Sequence, residues 1–289
     1  KAGVRVEHAD VLNRNNIAPR LALAYKFTNQ AQVSLAYGIF YQNPDRRYLP
    51  TPYAVDFAKA THYILQYQKI SNVYSFRSEL FYKKYDRLHK TELPPFGREV
   101  VANANGRGDA RGFEVFWRDK KTIKNTDYWV SYSYLDTKRD FLNYPTLLQP
   151  AFATKHTASF VIKKFVTKWK TGFNAAYNFA TGRPYYNFQY DMGQSKYVIA
   201  DKGTTINYNN LSVSLNYLPY LGNTKSNKFM VLVASLNNVL GQNQVFTYNY
   251  SADGKRKEAV GPPSRRFFFI GVFISFGVDR TQDAINNNL

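Results

Sequence analysis

Cysteine is absent from the 289 residues and methionine occurs only twice, which excludes a disulfide framework and any thiolate-held metal. Long apolar runs are missing as well. Mean hydropathy is −0.46, and nothing approaches the roughly 18 to 20 apolar residues of a spanning helix, so a polytopic helical membrane protein is ruled out. Acidic residues are scarce, 20 against 39 Lys and Arg, which gives a formal charge of +19 and a pI near 9.8. His8, His62, His89 and His156 lie far apart, with no Glu-x-x-His or His-x-His spacing for a metal. No local motif assembles a nucleophile with a histidine and a carboxylate. Neither an enzyme nor a cofactor is therefore expected. Gly106-Arg107-Gly108 lacks the lysine and following helix of a phosphate loop and reads as a loop-to-strand turn. The opening KAGVRVEHAD has no basic stretch with an apolar one behind it, and reads as cut from a longer chain.

Aromatic residues are abundant, with 24 Tyr and 22 Phe bringing Phe, Trp and Tyr to 17%. So much buriable surface argues against disorder. The apolar residues alternate. Val33, Leu35, Tyr37 and Ile39 share one face, as do Leu21, Leu23, Tyr25 and Phe27, then Phe173, Ala175, Tyr177 and Phe179, then Leu211, Val213, Leu215 and Tyr217. Near the C-terminus Phe268, Ile270, Val272, Ile274 and Phe276 do the same. This period of two is the mark of a strand. It predicts an all-β chain of about twelve strands, near 3–9, 18–27, 31–42, 60–70, 72–85, 110–119, 127–137, 155–166, 168–179, 205–218, 228–239 and 265–277. Soluble sandwich strands usually run about five or six residues, whereas crossing a bilayer takes roughly nine to eleven. One face is apolar and aromatic toward the strand ends; the other carries Ser, Asn, Gly, Gln, Arg and Glu, as an outer-membrane barrel requires.

Connections alternate in length. Tight ones are expected at 28–30, 69–72, 119–126, 166–168 and 219–227, and long ones at 9–17, 43–59, 86–109, 138–154, 180–204 and 240–264. A membrane protein with turns on one side and loops on the other predicts that alternation, and a soluble up-and-down β-protein does not. The basic excess raises nucleic-acid binding as a rival. The cations are dispersed over loops and strand ends, however, which fits the phosphates of outer-membrane lipid and lipopolysaccharide better than a nucleic-acid groove.

Several stretches carry a family resemblance: Pro19-Arg20-Leu21-Ala22-Leu23-Ala24-Tyr25, Ala36-Tyr37-Gly38-Ile39-Phe40-Tyr41-Gln42-Asn43-Pro44, Gly108-Asp109-Ala110-Arg111-Gly112-Phe113-Glu114, Thr181-Gly182-Arg183-Pro184-Tyr185 and Leu236-Asn237-Asn238-Val239-Leu240. In this order they resemble the C-terminal half of the barrel of a TonB-dependent outer-membrane receptor, most like those of Bacteroidetes. The resemblance implies an antiparallel transmembrane β-barrel of 22 strands around a plug, of which residues 1–277 supply about the last twelve. It implies import of a nutrient such as a siderophore, cobamide, glycan or peptide, with TonB acting through the missing plug and a surface lipoprotein as a possible partner. The alternatives are a passive porin-like channel and a closed twelve-stranded barrel. Gly271, Ile274 and Phe276 resemble the positions read by the outer-membrane assembly machinery, and residues 278–289 are expected to form a short periplasmic tail.

For cargo, the loop with Arg183, Tyr185, Tyr186, Phe188, Tyr190 and Tyr197 offers aromatic faces with polar tips, suited to rings and flat chelates. For any single Tyr, girdle or loop packing is the favoured reading. Asp45, Arg46, Arg47 and Tyr48 form a candidate clamp for an anion, or simply a solvated charge cluster. Lumenal Arg77 and Glu79, with Glu114, are expected to face the plug.

Overall fold

The computed structural model describes residues 1–10, 12–45, 56–92, 100–222, 228–251 and 253–277. Its strands are β1 (Ala2–Ala9), β2 (Arg14–Lys26), β3 (Ala31–Gln42), β4 (Ala58–Ile70), β5 (Tyr74–Glu92), β6 (Val100–Asp119), β7 (Thr126–Asp140) and β8 (His156–Val166). They continue as β9 (Thr171–Ala180), β10 (Pro184–Asp191), β11 (Lys196–Thr204), β12 (Tyr208–Tyr217), β13 (Lys228–Asn237), β14 (Thr247–Tyr250), β15 (Lys257–Val260) and β16 (Phe267–Phe276). Twelve of them make one antiparallel sheet in which β1 to β9 lie in chain order, followed by β12, β13 and β16. Each of the twelve expected strands is present. β1 and β16 are the two edges, so among the described residues the sheet does not close on itself as a twelve-stranded barrel would.

Register turns the alternation into two chemically distinct surfaces. On one face Leu23, Leu35, Leu65, Leu80, Phe113 and Tyr134 stand opposite one another across β2 to β7. Leu23, Leu35, Leu65 and Leu80 are 58%, 54%, 41% and 56% exposed, a surface that no water-facing sheet would be expected to present as a continuous row. Aromatic pairs flank it. Tyr37, Tyr63 and Tyr82 lie toward the loops, and Tyr67 with Phe76 and Trp117 with Tyr128 lie toward the turns, the placement of interfacial girdles. On the other face the neighbouring row reads Ala24, Ser34, Gln66, Glu79, Glu114, Ser133, Thr157, Ala180 and Tyr208. Cross-strand bonds such as Ser34 Oγ to Gln66 Oε1 (3.4 Å) and Ser159 Oγ to Asn178 Oδ1 (2.8 Å) tie this polar face together.

At β16 the polar face gives out. Phe269 and Phe273 flank Gly271 there, and the Phe269 ring lies over the glycine so closely that a Cβ would sit 2.8 Å from it. Ile274 and Phe276 project from the opposite, apolar face and are largely exposed.

Turns at one end are short and use side-chain caps in place of ladder bonds. Thr28 Oγ1 accepts the N–H groups of Gln30 and Ala31, Ser71 Oγ those of Val73 and Tyr74, and Asp119 Oδ1 those of Lys121 and Thr122. The turn at 166–168 runs on as a 3-10 helix, Thr167–Trp169.

Three expectations about connections are corrected. Residues 9–17 are not a long loop, because β1 pairs with β2 down to Ala9 and Arg14. Residues 86–109 are largely strand, since β5 and β6 continue their ladder, with register shifts around Leu88. Gly106-Arg107-Gly108 therefore lies inside β6 and is no turn. The stretches 180–204 and 240–264 are long connections between main-sheet strands, as expected, and each folds back as a small hairpin, β10–β11 and β14–β15, outside the main sheet. The physical reason is shared: beyond the apolar belt both faces of a strand meet polar surroundings, and the period-two signal vanishes although the ladder does not. Residues 278–289, expected as a tail, lie outside the described residues.

Candidate ligand-binding surface

The loop end begins with a tightly held neck. Thr181 Oγ1 accepts the His156 N–H (3.1 Å), Asn207 Oδ1 that of Gly182 (3.0 Å), and Thr205 Oγ1 that of Arg183 (2.9 Å). Pro184 then starts β10, and the turn to β11 is capped by Asp191 Oδ1, which accepts from Gly193 and Gln194.

The tyrosines expected to hold cargo are engaged in packing. Tyr186 stacks on Phe188 at 5.3 Å with planes 9° apart, and Tyr144 closes against both. The Tyr186 hydroxyl donates to the Gln149 carbonyl (2.9 Å), and burial raises the pKa values of Tyr144 and Tyr186. Tyr190 meets Tyr197 edge-on at 5.1 Å. Tyr185 packs on Tyr248 of β14 at 4.6 Å.

Around that last pair is a knot of polar groups. Lys257 Nζ donates to the Tyr185 hydroxyl (3.0 Å) and to Asp201 Oδ2 (3.3 Å), while the Tyr250 hydroxyl donates to Asp201 Oδ2 (2.6 Å). Burial and then the Asp201 hydrogen bond push the Tyr250 phenol up to about 12. The Tyr250 bond, and then Lys257, hold the Asp201 carboxyl below its usual range. The knot fastens β10–β11 to β14–β15.

Arg183 stands apart from these tyrosines, on a cavity of about 400 Å³ at the mouth of the polar face. Its floor is made by two rows of that face: Ser131, Ser159 and Asn178 are in register, as are Thr157, Ala180 and Tyr208. Phe246, from the connection before β14, forms one wall with its ring centroid 6.5 Å from that of Tyr208. The sequence reading missed Ser131, Thr157, Asn178 and Tyr208 as a site, although their alternation placed them all on the polar face. Nothing in the sequence marks Phe246.

A second cluster gathers around Asp56, just before β4. Asp56 Oδ2 is bridged by Arg14 (3.2 Å) and Arg87 (3.0 Å), its Oδ1 accepts the Phe57 N–H (2.7 Å), and its carbonyl lies 2.8 Å from His89 Nε2. Burial works to raise the Asp56 pKa, but these partners outweigh it and the net shift is downward. Arg46, Arg47 and Tyr48 lie outside the described residues. The remaining histidines act singly: His8 bonds Asn15, His62 packs on Phe40, and His156 bonds the Tyr132 hydroxyl. Arg77, Glu79 and Glu114 all fall on the polar face, with Glu79 directly opposite Glu114.

No protein-family model matches the sequence, and no curated protein matches it at a significant level. Solved structures match in fold. The outer membrane transporter YddB from Escherichia coli superposes with a TM-score of 0.71 at 14% identity, over 94% of this chain and 42% of that one. The ferripyoverdine receptor of the outer membrane of Pseudomonas aeruginosa gives 0.65 at 10%, over 90% and 33%. The ferric yersiniabactin uptake receptor FyuA from Yersinia pestis gives 0.63 at 13%, over 91% and 37%. The chain spans less than half the length of each. What is shared at such identities is the fold, and the resemblance to TonB-dependent receptors holds at that level: these residues have the fold of a section of the barrel wall of those transporters.

Proposed function

We propose that the chain forms wall and loop-side binding surface of an outer-membrane receptor for energised nutrient import. The observation that carries this reading is the register itself, which sets an aromatic-flanked row of exposed leucines on one face against a row of Ser, Gln, Glu and Thr on the other. Such a wall lies stably between lipid and a water-filled lumen, its inner strands being paired to a neighbour on either side. The tight-turn end then faces the periplasm, and the hairpins β10–β11 and β14–β15 face outward and meet cargo first. Cargo settles on the polar face, and TonB, acting through a plug outside these residues, provides the energy for passage. In this role residues 1–277 contribute no catalytic chemistry, and lipopolysaccharide phosphates neutralise part of the basic excess.

Membrane fractionation tests the placement. The protein should stay with the membrane through high salt and alkaline washing and come off only in detergent. Release by salt alone would sink the proposal. Uptake assays test the energising step: transport should disappear when TonB is deleted. Transport that survives the deletion identifies a passive channel instead, and DNA binding that falls steeply with salt identifies the nucleic-acid alternative.

A further inference from the structure

The cavity at the mouth of the polar face has a composition that selects a class of ligand. At about 400 Å³ it is within the range of small-molecule sites and of a size for one or two sugar rings. Among the described residues Arg183 is the only charged one lining it, and neither Asp nor Glu does so. The Arg183 main chain is fixed to Thr205 through both its N–H and its carbonyl, yet among the described residues its guanidinium has no ion pair. An unpaired arginine in a chain rich in cations is a ready partner for a carboxylate or phosphate, which it can grip through two parallel bonds.

The floor supplies the second half of the argument. Ser131 and Thr157 have hydroxyls with no partner among the described residues, and Asn178, whose Oδ1 is taken by Ser159, keeps its Nδ2 donor free. These groups both donate and accept, as neighbouring sugar hydroxyls do. Phe246 adds an apolar ring beside them, of the kind that packs on the C–H face of a sugar.

We infer that this cavity binds an anionic, hydroxyl-rich group, a sugar acid or a sugar phosphate, with Arg183 gripping the acid and Ser131, Thr157 and Asn178 the hydroxyls. The inference rests on the import reading for its setting and deepens it by naming the class of cargo. It excludes neutral glycans as preferred ligands, because they would leave the guanidinium unanswered.

Titration calorimetry on the detergent-purified protein tests it, with D-galacturonate, glucose 6-phosphate, D-glucose and citrate as probes. Galacturonate or glucose 6-phosphate should bind about ten-fold or more tightly than glucose, the usual worth of a charge-assisted pair. Whichever of the two is tighter identifies the acid as carboxylate or phosphate. Citrate, an acid without a ring, should bind more weakly than either. Arg183→Gln should bring the acids down to the level of glucose, and Arg183→Lys should keep part of the preference. Phe246→Ala should weaken ring-bearing probes and leave citrate unchanged. Heat-dependent gel migration confirms that each variant is folded. Equal binding of glucose and galacturonate, an acid preference that survives Arg183→Gln, or no binding of any probe by folded protein overturns the inference. Because these measurements need neither membrane nor TonB, they separate this failure from a failure of the import reading, which fractionation and TonB deletion decide.

Discussion

Gly112 shows how narrowly single positions are set. It lies opposite Phe81 on the polar face, and a Cβ there would come 2.8 Å from the Phe81 ring and run into the Tyr134 carbonyl of the next strand. A ring can swing away, but a carbonyl in a sheet ladder cannot without loss of its bonds. Gly112→Ala should therefore destabilise the folded chain by roughly 1–3 kcal/mol, the usual cost of overpacking, seen as a lower midpoint of denaturant unfolding in detergent. An unchanged midpoint would show that β6 and β7 part more easily than their register implies. Farther along the same two strands, Arg118 grips Asp127 through two bonds of 2.9 and 2.5 Å, with Asp127 only 1% exposed. This pair locks the hairpin just above its turn.

Individual elements differ in what fixes them. The wall strands follow from apolar alternation, and for that reason were legible in the sequence to within a few residues: β3 is found at Ala31–Gln42, where Val33, Leu35, Tyr37 and Ile39 mark its face. The outer halves of β5 and β6 were not legible. Asp86, Arg87, His89 and Lys90 meet polar surroundings on both sides and leave no periodic trace, and only the ladder from Leu88, Lys90 and Thr91 to Gly106, Asn103 and Val101 makes this stretch strand. Of the candidate site, Arg183 was singled out in the sequence and lines the cavity proposed above, while Tyr185, Tyr186 and Tyr190, singled out on composition, pack on Tyr248, Phe188 and Tyr197.

The hairpins β10–β11 and β14–β15 depend on the Asp201, Tyr250 and Lys257 knot, and its chemistry gives a pH window. Asp201 titrates lower when folded, so its contribution is present above 3.8 and is lost as pH falls through the lowered value. Tyr250 titrates higher, so its contribution is present below 10.0 and fades as pH rises toward about 12. Protease cutting within 192–195, the turn between β10 and β11, should thus be slow and constant between those limits and accelerate outside them. Tyr250→Phe should raise the cutting rate at neutral pH as well; an unaltered rate would mean that the aromatic contact of Tyr185 with Tyr248 suffices.

For the molecule as a whole, the decisive property is that adjacent residues inhabit different solvents. Leu65 faces outward from the centre of the apolar row and Gln66 faces the polar side. Leu65→Arg should cost about 2–4 kcal/mol of stability in a lipid environment, whereas Gln66→Arg should change it little. Refolding into lipid vesicles measures both. Equal effects would mean that the two faces do not divide lipid from water, and a costlier Gln66→Arg would mean that they have been assigned the wrong way round.

The main sheet passes from β9 directly to β12 and from β13 directly to β16, while β10–β11 and β14–β15 pair only within themselves. Nothing in the wall's register depends on what those hairpins say. Exchanging one for a hairpin of another sequence leaves every ladder bond of the barrier in place, so selection can revise what the surface recognises while the partition between lipid and lumen stays constant. The two inserts behave as replaceable vocabulary set into a fixed grammar.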